Sequence, residues 1–380
     1  MADQHPRTML RLSLYYGAAF ALIGIHLPFW PVWLAAHGLG PTEIGVVMAV
    51  GVGVKLIANP LVAHAADRRG QRRSIMVALA LAATAAFALF GWTSGLAAIL
   101  AVTVLFFAAW SPIMPLAESL TMMAGSAGEL DYGRVRLWGS LAFIATAVGA
   151  GYLLSGRSPD LIYWVILIAL AVTVAATLGL PAMPAPPAAG VRFAPFEVLR
   201  DRRFLLFLLA ATLIQGSHGV YYAFGTLDWK ASGYSENVIG WLWAEGVLAE
   251  IVLFAYGARL VRRFGPATLI ALGGFAGALR WWLTGTSDAL AVLVAMQALH
   301  ALTFGASHLG AIYFIARQFP AAVSASAQSL YAAIVAGLGM ALSALLAGRL
   351  YGEFGNAAYL GMAAMAGVGG LAAALLVNRR

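Results

Sequence analysis

Ionisable side chains interrupt segments that are otherwise apolar enough to lie in lipid. Lys55, Glu118, Arg136, Glu245, Glu250, Arg280 and His300 each fall within a long apolar run. A charge at the bilayer centre costs about 2.5–3.5 kcal/mol on insertion scales, so such residues face a hydrated cavity or one another. The composition does not suit a soluble enzyme: 62% of the residues are hydrophobic and 10% charged, against about 45–50% and 25% in soluble domains. Lipid admits only helices or closed barrels, because every backbone polar group must be satisfied internally. The runs are too long, and alternate too little, for barrel strands. An all-α membrane protein is expected.

A spanning helix needs about 20 apolar residues. Twelve candidates follow at 11–36, 43–66, 74–92, 96–123, 135–155, 160–180, 204–230, 236–258, 268–285, 288–316, 324–350 and 354–377. Turn signals separate them, among them Gly128, Ser158-Pro159 and Gly265-Pro266. The basic residues collect in alternate loops: Arg68 to Arg73, Arg134, Arg192 to Arg203, Arg259 to Arg263, Arg317, and the terminal Arg379 and Arg380. By the positive-inside rule both termini are cytoplasmic. The net charge of +8 is thereby explained without nucleic acid. Arg7 and Arg11 lead directly into the first apolar run, so that run is read as a retained span and not a signal peptide. Cysteine is absent, which excludes disulfides and thiolate metal sites. The proline-rich and then basic stretch 181–203 divides the chain into an N-terminal six-span half, 1–180, and a C-terminal one, 204–380. Trp30, Trp33, Trp92 and Trp110 are expected as anchors at the membrane surface.

The loop after the second span reads Ala63-x-x-x-Asp67-Arg68-x-Gly70-x-Arg72-Arg73. It resembles the cytoplasmic signature of the major facilitator superfamily, with alanine for the usual first glycine. Its physics is a tight glycine turn beside an acid that can accept from a helix N-terminus or an arginine. DYGRVRLWGS (131–140) resembles the lactose permease branch and, more specifically, the bacterial 3-phenylpropionic acid transporters. That resemblance extends through LPFWPVWL (27–34), QGSHGVYYAF (215–224), Arg280-Trp281, LHALTFGASHL (299–309) and ARQF (316–319). It implies the major facilitator fold, with twelve transmembrane helices in two pseudo-symmetric six-helix bundles.

Glu118 lies ten residues before Gly128 and Arg136 eight after it. At about 1.5 Å per residue, both sit about 12–15 Å into the membrane on neighbouring antiparallel helices, and can meet. They are either a structural ion pair or, as the resemblance implies, substrate-binding residues. Phe143, two turns beyond Arg136, offers an aromatic face, and the resemblance puts a substrate-stacking residue there. Lys55 is mid-span in a glycine-rich segment. It serves either a carboxylate substrate or Glu118. His218 and Tyr222, with Gln215 and Tyr221 nearby, are candidates to line a cavity and donate to the substrate. His26 and His308 are weaker ones.

In the second half the resemblance assigns Arg280 and His300 to proton coupling. The acid expected three residues after the histidine is replaced here by Thr303, and a substrate-linked acid by Val247. Glu250 is therefore expected to carry the proton, with Glu245 as the next candidate and a structural Glu250–Arg280 bridge as the alternative. No histidine spacing suggests a metal, and no phosphate-cradling loop suggests ATP. The expected function is proton-coupled uptake of a small organic substrate across a bacterial inner membrane, with the proton as coupling ion and no other cofactor, by a monomer embedded in the lipid bilayer. The resemblance implies an aromatic carboxylate such as 3-phenylpropionate. A sugar or nucleoside proton symporter is the near alternative. A drug exporter, a sensor or a membrane enzyme fits less well: no output domain is visible, and neither is a nucleophile–base pair.

Overall fold

The computed structural model describes residues 4–126, 131–182 and 195–377. The turn at Gly128, residues 183–194 of the 181–203 linker, and Arg379 and Arg380 lie outside the described residues. Every regular element among the described residues is helical. In chain order they are α1 (Gln4–Ala36), α2 (Pro41–Arg69), α3 (Arg72–Ala88), α4 (Gly95–Trp110), α5 (Ile113–Ser126), α6 (Tyr132–Leu154) and α7 (Asp160–Leu178). Then follow α8 (Pro195–Val198), α9 (Arg202–Gly216), α10 (Gly219–Ala231), α11 (Glu236–Ala255), α12 (Gly257–Phe264) and α13 (Pro266–Thr286). The last are α14 (Leu290–Ala298), α15 (Ser307–Gln318), α16 (Ala321–Tyr331), α17 (Met340–Phe354) and α18 (Ala358–Ala374). Wider π-helical turns follow α14, at Ala301–Ala306, and α16, at Ala332–Gly339.

Ten helical stretches are long and apolar enough to cross a membrane, where twelve are expected from sequence. The difference has two sources. Residues expected as spans eleven and twelve lie in one continuous stretch, Val323–Ala374, which bends at Gly355. The ninth expected span is α13, which has the length, at 21 residues, but whose apolar character is diluted by Arg280, two tryptophans and several glycines.

The chain divides into two compact units. The first comprises residues 1–39, 50–189 and 235–244; the second comprises 40–49, 190–234 and 245–380. In the first unit α1 packs on α6 and α7, and α3 packs on α4 and α7. One buried cluster there joins Leu12, Tyr15 and Tyr16 of α1 to Met76, Leu116, Leu120 and Val135. An aromatic nest forms a second: Trp30 stacks on Trp33 at 4.5 Å and meets Phe87 and Phe90 edge-on or tilted. Trp30 and Trp33 are therefore core residues, each 2% exposed, and not the surface anchors expected from sequence. Their neighbours on other helices are rings, so stacking outcompetes the interface. Trp92 does stand exposed.

In the second unit α9, α13, α15 and α18 surround a core that includes Phe204, Phe207, Ile214, Ile270, Phe314 and Ile315. Two aspartates start helices by accepting backbone N–H groups. Asp131 accepts from Gly133 at 2.8 Å in the first unit, and Asp201 from Arg203 at 2.8 Å and Phe204 at 3.1 Å in the second. Such caps satisfy donors that the first turn leaves orphaned.

α13 and α18 pack backbone to backbone in the second unit. A Cβ on Gly274 would lie 2.6 Å from the Gly370 amide nitrogen and 3.0 Å from the Ala366 carbonyl. Both neighbours are backbone, which cannot step aside. Gly274→Leu is expected to destabilise the protein by at least about 1–3 kcal/mol through overpacking. Thermal unfolding in detergent should show a lowered midpoint, with the exposed position Leu272→Ala as a near-neutral control.

Candidate functional site

The second unit contains a largely buried hydrogen-bonded array of ionisable and polar side chains. Its centre is Arg280 on α13, 0% exposed. One guanidinium nitrogen, Nη1, donates to His300 Nδ1 at 2.9 Å and to Thr303 Oγ1 at 3.0 Å. Nη2 donates to Gln297 Oε1 at 2.8 Å. Its guanidinium carbon lies over the rings of Tyr221 and Trp281, with centroids 4.7 and 4.3 Å away. Cation–π contacts of this kind are worth about 2 kcal/mol or more when desolvated. Trp281 is fixed in turn by donating to Ser217 Oγ at 2.9 Å.

Proton positions follow from this geometry. Arginine has no acceptor, so His300 Nδ1 must receive the Arg280 bond and carries no proton. The neutral ring therefore holds its hydrogen on Nε2, which points at Glu250 Oε1, 3.1 Å away. Arg280, His300 and Glu250 thus form one chain of bonds, all directed toward the carboxylate. A second histidine is oriented the opposite way. His218 Nδ1 lies 3.2 and 3.1 Å from the Ile214 and Gln215 carbonyls and must donate. Its Nε2 then accepts from Thr303 Oγ1 at 3.1 Å. Thr303 is the hub, receiving from Arg280 and giving to His218. It can reach both because the chain widens into a π turn straight after His300. Such turns occur often at functional sites.

Expected residues fall into separate groups. Glu250, Arg280, His300 and His218 come together. His218 is fully buried with both ring nitrogens engaged, and Tyr222 stacks on it at 5.5 Å. Glu245, half-buried on α11, feels the charge of Arg280 through space. In the first unit Glu118 and Arg136 attract each other through space, with no hydrogen bond or ion-pair contact between them. The Arg136 guanidinium lies 4.0 Å from the Phe20 ring centroid and 6.0 Å from that of Tyr16. Glu118 borders an open recess of about 620 Å³ with Pro115, Ser119, Met122 and Met123. Phe143 is buried, 5% exposed. Lys55 stands over Phe107 at 5.6 Å.

In the signature loop Asp67 accepts from Arg72 at 2.7 Å, Arg68 is exposed, and Gly70 takes a left-handed turn with φ 62°. Arg73 donates to the Leu178 carbonyl at 2.6 Å, tying the loop to the end of α7.

Sequence reasoning missed three residues. Gln297 sits three residues before His300, on the same helix face, and an amide in an apolar run was the available signal. Thr303 drew notice only for the acid it replaces. Asp228, 5% exposed near the end of α10, accepts from Asn356 at 2.8 Å and Tyr351 at 3.2 Å. It lies two residues inside the expected span 204–230, and a carboxylate within an apolar run was the available signal.

Membrane-length helices enclosing a directed chain of hydrogen-bonded charges define a multi-pass membrane protein with buried polar machinery. Residues 9–360 match the MFS_1 like family, and the chain belongs to it, within the major facilitator superfamily. It is 33% identical over 369 residues to the "Probable 3-phenylpropionic acid transporter" of Escherichia coli (strain K12), covering 93% of this chain and 94% of that one. It is 30% identical over 377 residues to the maltose permease of Geobacillus stearothermophilus, covering 96% and 94%. The crystal structure of the nucleoside transporter NupG superposes with a TM-score of 0.86 at 16% identity, covering 98% of this chain and 100% of that one, and so shares its fold. The protein is a transporter, not an enzyme.

Thr303→Val keeps the shape but leaves one Arg280 donor and His218 Nε2 unpartnered in a sealed core. A loss of about 1–3 kcal/mol is expected for each buried group left unsatisfied. Thermal unfolding should register that loss, and Thr303→Ser should recover most of it.

Proposed function

We propose that the chain is a proton-coupled secondary transporter that takes up a small organic acid by alternating access, with Glu250 as the proton-carrying carboxylate. The observation that carries this reading is the directed chain Arg280–His300–Glu250. Glu250 is the terminal acceptor of the chain, and it is half-buried where His300 and Arg280 are sealed, so a proton arriving by water meets it first. Protonation cancels the charge that His300 Nε2–H addresses. His300 can accept a proton only at Nδ1, and only if Arg280 withdraws. Imidazolium formation and the Arg280–His300 bond are therefore mutually exclusive. Proton occupancy is thereby linked to how α13 sits against the turn after α14, an element with two distinct bonded states of the kind a switch requires.

The substrate is proposed to be an aromatic carboxylate such as 3-phenylpropionate. The named Escherichia coli relative, Lys55, Arg136 and the aromatic surfaces of the first unit support it. The maltose permease relative favours a second reading, a sugar proton symporter. Twelve crossings are proposed: the ten helical stretches, α13 as an eleventh, and Val323–Ala374 counted as two. Six would precede and six follow the 181–203 linker, with both termini in the cytoplasm of a bacterium and a monomer in its inner membrane. No cofactor besides the proton is invoked.

The test is uptake of labelled 3-phenylpropionate, maltose and uridine into proteoliposomes, with and without an imposed pH gradient. Gradient-driven accumulation of the aromatic acid alone is expected; accumulation of maltose selects the second reading. Glu250→Gln should abolish gradient-driven accumulation and spare substrate exchange. Undiminished accumulation in that variant would remove Glu250 from the coupling path.

A further inference from the structure

Within the first unit the two mid-span cations are in different electrostatic situations. Arg136 has Glu118 as counter-charge and two aromatic rings against its guanidinium. Lys55 has no ion pair or hydrogen bond among the described residues, and its ammonium meets the Phe107 ring at 5.6 Å. An intramembrane cation without a partner costs about 2.5–3.5 kcal/mol or more, and a bound anion would recover that cost.

A second unsatisfied group lies beside it. His26 of α1 is held between aromatic rings. It stacks on Trp30 at 5.6 Å and Phe106 at 6.0 Å, and meets Phe107 edge-on at 5.9 Å. Its Nε2 is buried and has no hydrogen-bond partner. The ring is near enough to Lys55 to feel its charge. Phe107 is flanked by both residues and is pressed so close to α2 that a Cβ on Gly51 would meet it at 2.7 Å. Asn59, one turn beyond Lys55 on the same face, receives the Ser111 hydroxyl on Oδ1 at 2.8 Å, which leaves its amide hydrogens to donate. Lys55 and His26 flank the Phe107 ring, one supplying a positive charge and the other an unpartnered ring nitrogen, and Asn59 adds amide donors one turn along α2. Their common complement is a carboxylate, which accepts through two oxygens, joined to a flat apolar body that can lie on aromatic rings.

We infer that Lys55 and His26 form the carboxylate subsite of this transporter, Lys55 supplying the charge, His26 Nε2 a directed hydrogen bond and Phe107 the wall, while Arg136 stays with Glu118. The inference rests on the aromatic-acid reading above and deepens it by separating the cations and adding His26 as a specificity-determining residue.

The test is equilibrium binding of 3-phenylpropionate and of its neutral isostere 3-phenylpropionamide to the purified full-length protein, by calorimetry without a proton gradient. The wild type should prefer the acid by at least about tenfold, as expected for hydrogen bonds to a charged group. Lys55→Gln should weaken the acid by about 10- to 100-fold and leave the amide nearly unchanged. His26→Phe keeps the stack but removes the donor, and should cost the acid about tenfold; His26→Gln, which restores a donor, should recover most of that loss. Thermal unfolding checks that each variant is folded, and Lys55→Met serves where Lys55→Gln is not. An acid preference that survives Lys55→Gln, or that disappears instead in Arg136→Gln, overturns the inference. A wild type that binds maltose or uridine and no carboxylate overturns both the inference and the substrate reading. Because binding is read at equilibrium, a failure of proton coupling at Glu250 leaves these outcomes unchanged and counts against that reading alone.

Discussion

Arg280 cannot shed its proton, yet it is sealed from water inside a membrane-length helix. The second unit is organised around the solution to that constraint. The charge is shared among an imidazole, a hydroxyl, an amide oxygen and two aromatic faces, none of which is ionised. The nearest link to a carboxylate passes through His300 to Glu250. A direct buried ion pair would be stronger electrostatically but would have one state. Passage through an imidazole makes the charge balance depend on where one proton sits.

That arrangement demands precise registration of several helices. Arg280 comes from α13, Gln297 from α14, His300 and Thr303 from the turn after it, and His218 from the break between α9 and α10. Contact between α13 and α18 at Gly274 and Gly370 sets the depth of α13. The π turn at Ala301–Ala306 rotates Thr303 so that one hydroxyl serves both Arg280 and His218. A regular helix would present these residues with different spacing. The hub is thus a neutral hydroxyl, and the carboxylate at the end of the chain comes from α11.

The first unit treats its charges differently. Arg136 lies against Phe20 and Tyr16 with Glu118 as its counter-charge, and Lys55 lies against Phe107. This leaves the donors of Lys55 uncommitted. In the second unit Arg280 Nη1 and Nη2 are engaged, and Nε has no hydrogen-bond partner among the described residues. The two sets of side chains correspond to the two halves of the proposed task, proton coupling and substrate binding.

The sequence alone determined the class of the molecule. Apolar runs of membrane length, basic residues in alternate loops and charges inside the runs leave few other solutions, because lipid forbids unsatisfied backbone and penalises dispersed charge. It also showed Arg280, His300 and Glu250 singly, since a charge in an apolar run is visible one residue at a time, while their grouping was implied by the family resemblance. It did not give their order of bonding, the role of Thr303 and Gln297, the burial of Asp228, or the inward turn of Trp30 and Trp33. Those depend on which uncharged atoms from distant segments meet, and neutral hydrogen-bonding groups and rings carry no local signal of their partners. Only the tertiary structure decided them, because direction in a hydrogen bond is set by geometry and not by residue type.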